Sequence, residues 1–328
     1  MKLLITGAGG YLGRHVTAAA LRAGHEVRGS VRQSSQFASL ASALSAPADR
    51  FAPVSLDLLR DEGWSAAMDG IDGVLHTASP VPTSSPASDT EILRPAIDGT
   101  ERVLSAAARA GVARVVVTSS IAAILGAPSK GAGDTFGPDD WTDPDAKQTR
   151  AYAKAKTRAE LLARDIAANT PGMRLSTVNP GYIFGPPLGG PVTSSLTLID
   201  MLLRGRIPVL PRLAFPSVDV RDVAAAHLAA LHAPAGSRFI ASGPTLWLSE
   251  IAECVRAAVP SARVPRVIAP DWSIRLAARL VPSLAMIAGD VGRMKFTDPA
   301  ACEALLGRPL SDPRQAVSAA AVSLAQRP

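Results

Sequence analysis

Two periods alternate along the first half of the chain. Short apolar runs recur at 2–5, 26–31, about 52–55, 73–76, 114–118 and 174–178, and longer stretches with helical spacing separate them. Apolar runs of this length, without strict alternation, read as strands buried on both faces of a parallel sheet. The first helical stretch, from about Tyr11 to Ala23, places Leu12, Val16, Ala19 and Ala20 on one face, and Gly24 is a suitable stop. Strands alternating with helices predict an α/β fold with a doubly wound parallel sheet.

The segment joining the first strand to the first helix carries chemistry. Thr6-Gly7-Ala8-Gly9-Gly10-Tyr11-Leu12-Gly13 spaces Gly7, Gly10 and Gly13 by three residues. Lacking Cβ atoms, these positions allow a tight turn, close approach of the backbone to phosphate, and close packing of helix on strand. The helix N-terminus then offers unsatisfied N–H groups to an anion. A Rossmann-type dinucleotide site at Gly7, Gly10, Tyr11, Leu12 and Gly13 follows. The end of the second strand selects the dinucleotide. NAD sites usually place a carboxylate there, whereas this chain has Val31-Arg32. A guanidinium can grip a 2′-phosphate with two charge-assisted bonds that a carboxylate would repel, so Arg32 favours NADP(H) over NAD(H).

A second constellation lies downstream. The β-branched run Val115-Val116-Val117-Thr118 ends at Ser119-Ser120, where ligands of open α/β sheets bind, so both hydroxyls are expected to face the cofactor crevice. After an irregular stretch from Gly126 to Thr149, a helix begins near Tyr152 and brings Tyr152 and Lys156 onto one face. A carbonyl that accepts hydride needs a proton. A tyrosine with an ordinary pKa of about 10 holds its proton tightly, and a nearby ammonium would lower that pKa toward neutrality. The same lysine can bond the nicotinamide ribose, and a serine hydroxyl can polarise the carbonyl oxygen. Lys154 points to another face of the helix.

Composition narrows the remaining choices. The chain has 328 residues, 47% hydrophobic, enough for a large core. Its net charge of +6 comes with scattered arginines and only three tyrosines, which does not make a nucleic-acid surface. Cys254 and Cys302 form no spaced pair, and with five scattered histidines they suggest no metal site. No apolar run is long enough to span a bilayer and no signal peptide is evident, so a cytoplasmic, membrane-free protein is expected.

Thr-Gly-x-x-Gly-x-x-Gly with Thr-Ser-Ser and Tyr-x-x-x-Lys resembles the extended short-chain dehydrogenases/reductases, part of the NAD-dependent epimerase/dehydratase superfamily. The segments Val74-Leu75-His76-Thr77-Ala78-Ser79-Pro80, Asp139-Asp140-Trp141-Thr142, Asn179-Pro180-Gly181 and Val218-Asp219-Val220-Arg221-Asp222-Val223 are similar to the branch of dihydroflavonol reductases, cinnamoyl-CoA reductases and bacterial aldehyde reductases. The resemblance implies a catalytic triad of Ser120, Tyr152 and Lys156. It puts Asp57 and Leu58 at the adenine, Thr77, Ala78 and Ser79 along the nicotinamide ribose, Pro180 and Ile183 near the nicotinamide, and Ser195 near the phosphates. One departure concerns the cofactor: NADP-using members often carry a further basic residue shortly after the arginine, and Gln33 to Leu40 contains none. Asp139-Asp140 is expected to be a surface turn, and Asp219 and Asp222 to fix a loop and cap a helix.

The resulting architecture has a dinucleotide domain of residues 1–180 plus about 217–242, and a smaller, discontinuous substrate lobe of about 181–216 plus 243–328. The return into the first domain is expected as a strand at 217–220, a helix at 223–233 and a strand at 238–241, with Ser249 capping the next helix. By position, Ser79, Pro80, Val81, Ile121, Tyr182, Leu188 and Phe215 would wall the substrate site. These are mostly apolar and suit an aromatic or aliphatic carbonyl. The expected activity is NADP(H)-dependent reduction of a ketone or aldehyde, in a monomer or homodimer. Two alternatives are a sugar-nucleotide epimerase or dehydratase retaining NAD, and a dinucleotide-sensing protein without turnover.

Overall fold

The computed structural model describes residues 1–78, 90–192 and 195–327. Seven parallel strands form the main sheet in the order β10-β7-β5-β4-β1-β2-β3. They are β1 (Lys2–Thr6), β2 (Glu26–Val31), β3 (Phe51–Ser55), β4 (Gly73–His76), β5 (Arg114–Thr118), β7 (Arg174–Pro180) and β10 (Arg238–Ala241). The short β6 (Thr135–Phe136) lies outside this sheet. From β1 the chain winds outward to β3 and then resumes on the other side of β1 with β4. That reversal opens a crevice at the carboxyl ends of β1 and β4, the usual ligand position in such sheets.

Alternation along β1 explains the layers. Leu3 and Ile5 enter one core, with Val16 and Ala20 of α1 (Tyr11–Arg22). Leu4 enters the other, with Val103 and Leu104 of a later helix, Val115, Val117 and Leu175. All three β1 residues are fully buried, each stabilising the fold by about 1.5–3 kcal/mol through the hydrophobic effect. On the first face α1 is followed by α2 (Phe37–Leu44). The second carries α3 (Trp64–Met68), α4 (Thr90–Arg109) and α5 (Ala151–Ala168).

A three-stranded sheet holds β9 (Ala214–Asp219) between parallel β8 (Tyr182–Phe184) and antiparallel β11 (Thr245–Trp247). Around it, α6 (Ser195–Leu203), α8 (Leu248–Ala258) and the last helix, Pro313–Ala325, bury Phe184, Leu196, Ile199, Ile251, Val255 and Val317. Between β9 and β10 runs α7 (Val220–Ala230), which returns to the first face of the main sheet. Near the end, β12 (Phe296–Thr297) pairs with β6.

Two helix starts differ from expectation. α7 begins three residues early because Asp219 accepts the Arg221 N–H at 2.8 Å as its cap. Asp222 instead holds the loop after residue 307, taking Arg308 Nη2 at 2.5 Å and Ser311 N–H at 2.6 Å. Ser249 lies inside the first turn of α8. The cap is Trp247, whose N–H donates to the Glu250 carboxylate at 2.8 Å. Among the described residues, no helix is long and apolar enough to cross a membrane.

Packing of α1 on the glycine turn leaves no room for a side chain. A Cβ on Gly13 would stand 2.0 Å from the Gly7 carbonyl oxygen. Gly13→Ala must therefore push α1 off the turn, with an expected loss of about 1–3 kcal/mol of stability in chemical denaturation.

Candidate active site

The crevice begins at the glycine turn. Gly7 has φ +69°, and its N–H donates to Ser30 Oγ at 3.1 Å, while Gly10 N–H closes the turn on Gly7 O at 2.9 Å. Gly10 precedes α1 with no side-chain cap, and the first turn holds no acidic residue. The N-terminal N–H groups and the positive end of the helix dipole thus meet no competing carboxylate, which fits a pyrophosphate. Tyr11 donates its hydroxyl to Gly185 O at 2.9 Å, and Leu12 packs on the core. Thr77 Oγ1 donates to Thr6 O at 2.7 Å and Ala78 N–H to Thr6 Oγ1 at 3.2 Å, so these two residues are tied to the end of β1.

Toward the sheet edge, the ends of β2 and β3 frame a cleft of about 800 Å3 lined by Arg32, Gln33, Gln36, Asp57, Arg60 and Glu62. Arg32 and Asp57 therefore share one space. Leu58 packs partly against the core of the second face and lines a separate small pocket with His76 and Lys156.

At the other end, the Ser120 hydroxyl lies close enough to the Tyr152 phenol to favour its ionised form. The Tyr152 ring remains 39% exposed. Desolvation nevertheless raises the phenol pKa above its ordinary value, and the Ser120 hydroxyl only partly opposes this. Lys156, 8% exposed, donates to Thr118 O at 3.2 Å. Burial lowers its pKa to about 8, opposed by the Glu160 carboxylate one turn further on. The electrostatics thus differ from expectation: the ammonium faces the end of β5 and Glu160, and the phenol is not pulled down toward neutrality. His76, buried beside this lysine with Nδ1 2.7 Å from Thr6 Oγ1, has its pKa lowered to about 3 by burial and by Lys156, and is neutral.

Ser119 does not face the crevice, contrary to expectation. Its hydroxyl donates to Glu160 Oε2 inside the protein. Glu160 also receives Asn179 Nδ2 at 2.8 Å, Thr177 Oγ1 at 3.2 Å and Arg238 Nε at 2.7 Å. Arg238 in turn donates to Pro138 O at 2.7 Å and Asp140 O at 2.5 Å, and its guanidinium lies 3.7 Å from the centroid of the Trp141 ring. The Asp139-Asp140 loop is thereby clamped, and Asp140 accepts the Gly137 N–H at 2.7 Å as a turn residue does. Sequence reasoning missed Glu160 and Arg238. An acidic residue four positions after Lys156, on the same helix face, and an arginine heading an apolar strand were the available signals.

The remaining candidates are spread around the crevice. Tyr182 and Phe215 meet edge to face with centroids 4.7 Å apart, and Tyr182 is 43% exposed. Pro180 ends β7 beside Ala241, and Ile183 packs from β8 onto the main core. Ser195 donates its hydroxyl to Ile183 O. Leu188 lies toward α1, its carbonyl held by Arg14 Nη1 at 3.0 Å. Ile121 is 4% exposed and packs with Ile124, Phe136 and Ile240, leaving it little surface to offer a ligand. Ser79, Pro80 and Val81 lie outside the described residues. Among the described residues, no group of three or more His, Cys, Asp or Glu could hold a metal ion.

Comparison with known proteins gives the family. The model of the NAD dependent epimerase/dehydratase family matches residues 3–240, and the chain belongs to that family. Cinnamoyl-CoA reductase 2 of Arabidopsis thaliana is 36% identical over 265 residues, covering 80% of this chain and 78% of its own. Tetraketide alpha-pyrone reductase 2 of the same plant is 32% identical, covering 79% and 83%. These relatives bear out the resemblance to the dihydroflavonol-reductase-like branch. Yeast methylglyoxal/isovaleraldehyde reductase Gre2, solved with NADPH, matches over 99% of this chain and 98% of its own with a TM-score of 0.81 at 24% identity, a likeness of fold.

Removing Glu160 should expose how much this site depends on it. Glu160→Ala leaves Arg238 buried and unpaired, and a loss of about 3–5 kcal/mol is expected in the urea unfolding midpoint and slope.

Proposed function

We propose that the protein is an NADP(H)-dependent carbonyl reductase acting on a ketone or aldehyde with an apolar, aromatic or aliphatic body. The observation that carries this reading is the Ser120–Tyr152 hydroxyl pair with Lys156 one helical turn away, at the carboxyl end of β5. The glycine turn, the uncapped start of α1 and the cleft holding Arg32 support the cofactor. That the curated relatives are reductases supports the reaction.

When bound, the nicotinamide supplies a hydride to the carbonyl carbon. Ser120 and Tyr152 hold the carbonyl oxygen between two hydroxyls, and Tyr152 releases its proton to that oxygen as negative charge develops. A phenol whose pKa is raised remains protonated at neutral pH, the form required for reduction. Lys156, anchored on Thr118 O one helical turn from Tyr152, can bond the nicotinamide ribose. Ser120 is held ready by the Ala122 N–H, which donates to its Oγ at 3.1 Å. The Tyr182–Phe215 edge-to-face pair offers an apolar surface to the body of the substrate.

Two measurements test this. Tyr152→Phe should lower kcat for reduction by about 10²–10⁴ while leaving NADPH binding intact, and a variant with full activity would sink the mechanism. For wild type, kcat/KM for NADPH should fall as pH rises through about 8, where Lys156 loses its charge, while Tyr152 remains protonated there. A profile flat to pH 10 would remove Lys156 from its role.

A further inference from the structure

We infer that Arg60 is a second determinant of cofactor specificity, forming with Arg32 a two-guanidinium clamp for the adenosine 2′-phosphate. The inference rests on the NADP(H) reading and supplies the cation that Gln33 to Leu40 lacks.

The two arginines reach the same cleft from neighbouring strands. Val31 and Ser55 are paired across β2 and β3, Leu56 N–H donates to Val31 O at 3.0 Å, and Ser55 Oγ donates to Arg32 O at 3.1 Å. The backbone under Arg32 is therefore tied to the strand that leads to Arg60. Arg60 itself sits on a turn closed by its N–H on Asp57 O at 3.2 Å. Trp64, only 2% exposed, donates Nε1 to Arg60 O at 2.9 Å and to Asp57 O at 3.3 Å. A buried indole thus fixes the turn whose arginine lines the cleft.

Charge on the described residues points the same way. Among the described residues neither Arg32 nor Arg60 finds an ion-pair or side-chain hydrogen-bond partner, although many arginines of this chain do. Asp61, the carboxylate next to Arg60, is taken by Arg102. Asp57 is partly occupied by the Leu59 N–H at 2.9 Å. Glu62 is the carboxylate of the cleft with no such engagement, and it opposes an anion at that side. Gln33 and Gln36 add neutral donors. A phosphate dianion suits two forked guanidiniums, because each can form paired charge-assisted bonds with it.

The test measures dissociation constants of NADPH, NADH, 2′,5′-ADP and 5′-AMP at fixed ionic strength for wild type, Arg32→Ala, Arg60→Ala and Arg60→Lys. Arg60→Ala should weaken NADPH and 2′,5′-ADP about tenfold to a hundredfold and leave NADH and 5′-AMP unchanged. Arg60→Lys should recover part of the loss. An Arg60→Ala protein that binds NADPH like wild type, while Arg32→Ala loses the preference, would overturn the role of Arg60 alone. Equal weakening of NADPH and NADH would also overturn it, as a structural effect. A wild type that binds NADH as tightly as NADPH would instead remove the cofactor reading, and the clamp with it.

Discussion

One buried ion pair organises the active-site end of this molecule. Glu160 of α5 and Arg238 of β10 are 1% and 7% exposed, and between them they bond to Ser119 just after β5, to β7 and to the loop at 138–140. Burying two charges is costly, and the cost is offset only when nearly every donor and acceptor is satisfied. Here the carboxylate accepts from four side chains, and the guanidinium stacks on Trp141 while donating to backbone carbonyls. The geometric consequence matters more than the net energy. Ser119 is drawn inward and Asn179 Nδ2 reaches both Glu160 and Ser120 O, at 2.8 and 3.3 Å. Ser120 is left as the hydroxyl beside Tyr152.

The sheet was legible in the sequence because its strands are buried on both faces, so their signal is a continuous apolar run that needs no knowledge of partners. Each strand of the main sheet falls within a few residues of such a run. The start of α7 was less legible because Asp219 and Asp222 are both good caps three residues apart, and only tertiary contact distinguishes them. Asp222 is taken by Arg308 and Ser311, far along the chain. The choice at α8 failed similarly: Ser249 has the right residue type, but Glu250 satisfies the Trp247 N–H and fixes the boundary earlier.

At the site, the tyrosine, lysine and serine were readable as types and spacings, and their electrostatics were not. An i, i+4 spacing places Lys156 on the face of Tyr152 but does not say where its ammonium points. Glu160 is a neighbour by spacing along α5, whereas Thr118 O becomes one only through the packing of α5 on the end of β5, and the two together decide that. The second arginine of the cofactor cleft was hidden for the same reason. Arg32 and Arg60 are far apart in sequence and meet through the β2–β3 pairing.

These positions imply a division of labour along the crevice. Arginine stays charged across any working pH, whereas Lys156, buried and shifted to about 8, titrates close to the physiological range. In the proposed mechanism the cations that would meet phosphate are therefore arginines that do not titrate, whereas the cation near the proton transfer does. A neutral His76 beside Lys156 adds no competing cation. The lysine then answers chiefly to burial, which favours losing its proton, and to Glu160, which favours keeping it. The carboxylate that clamps Arg238 and sorts the two serines thus also helps to keep Lys156 charged, so in the proposed mechanism fold integrity and proton chemistry would depend on the same residue.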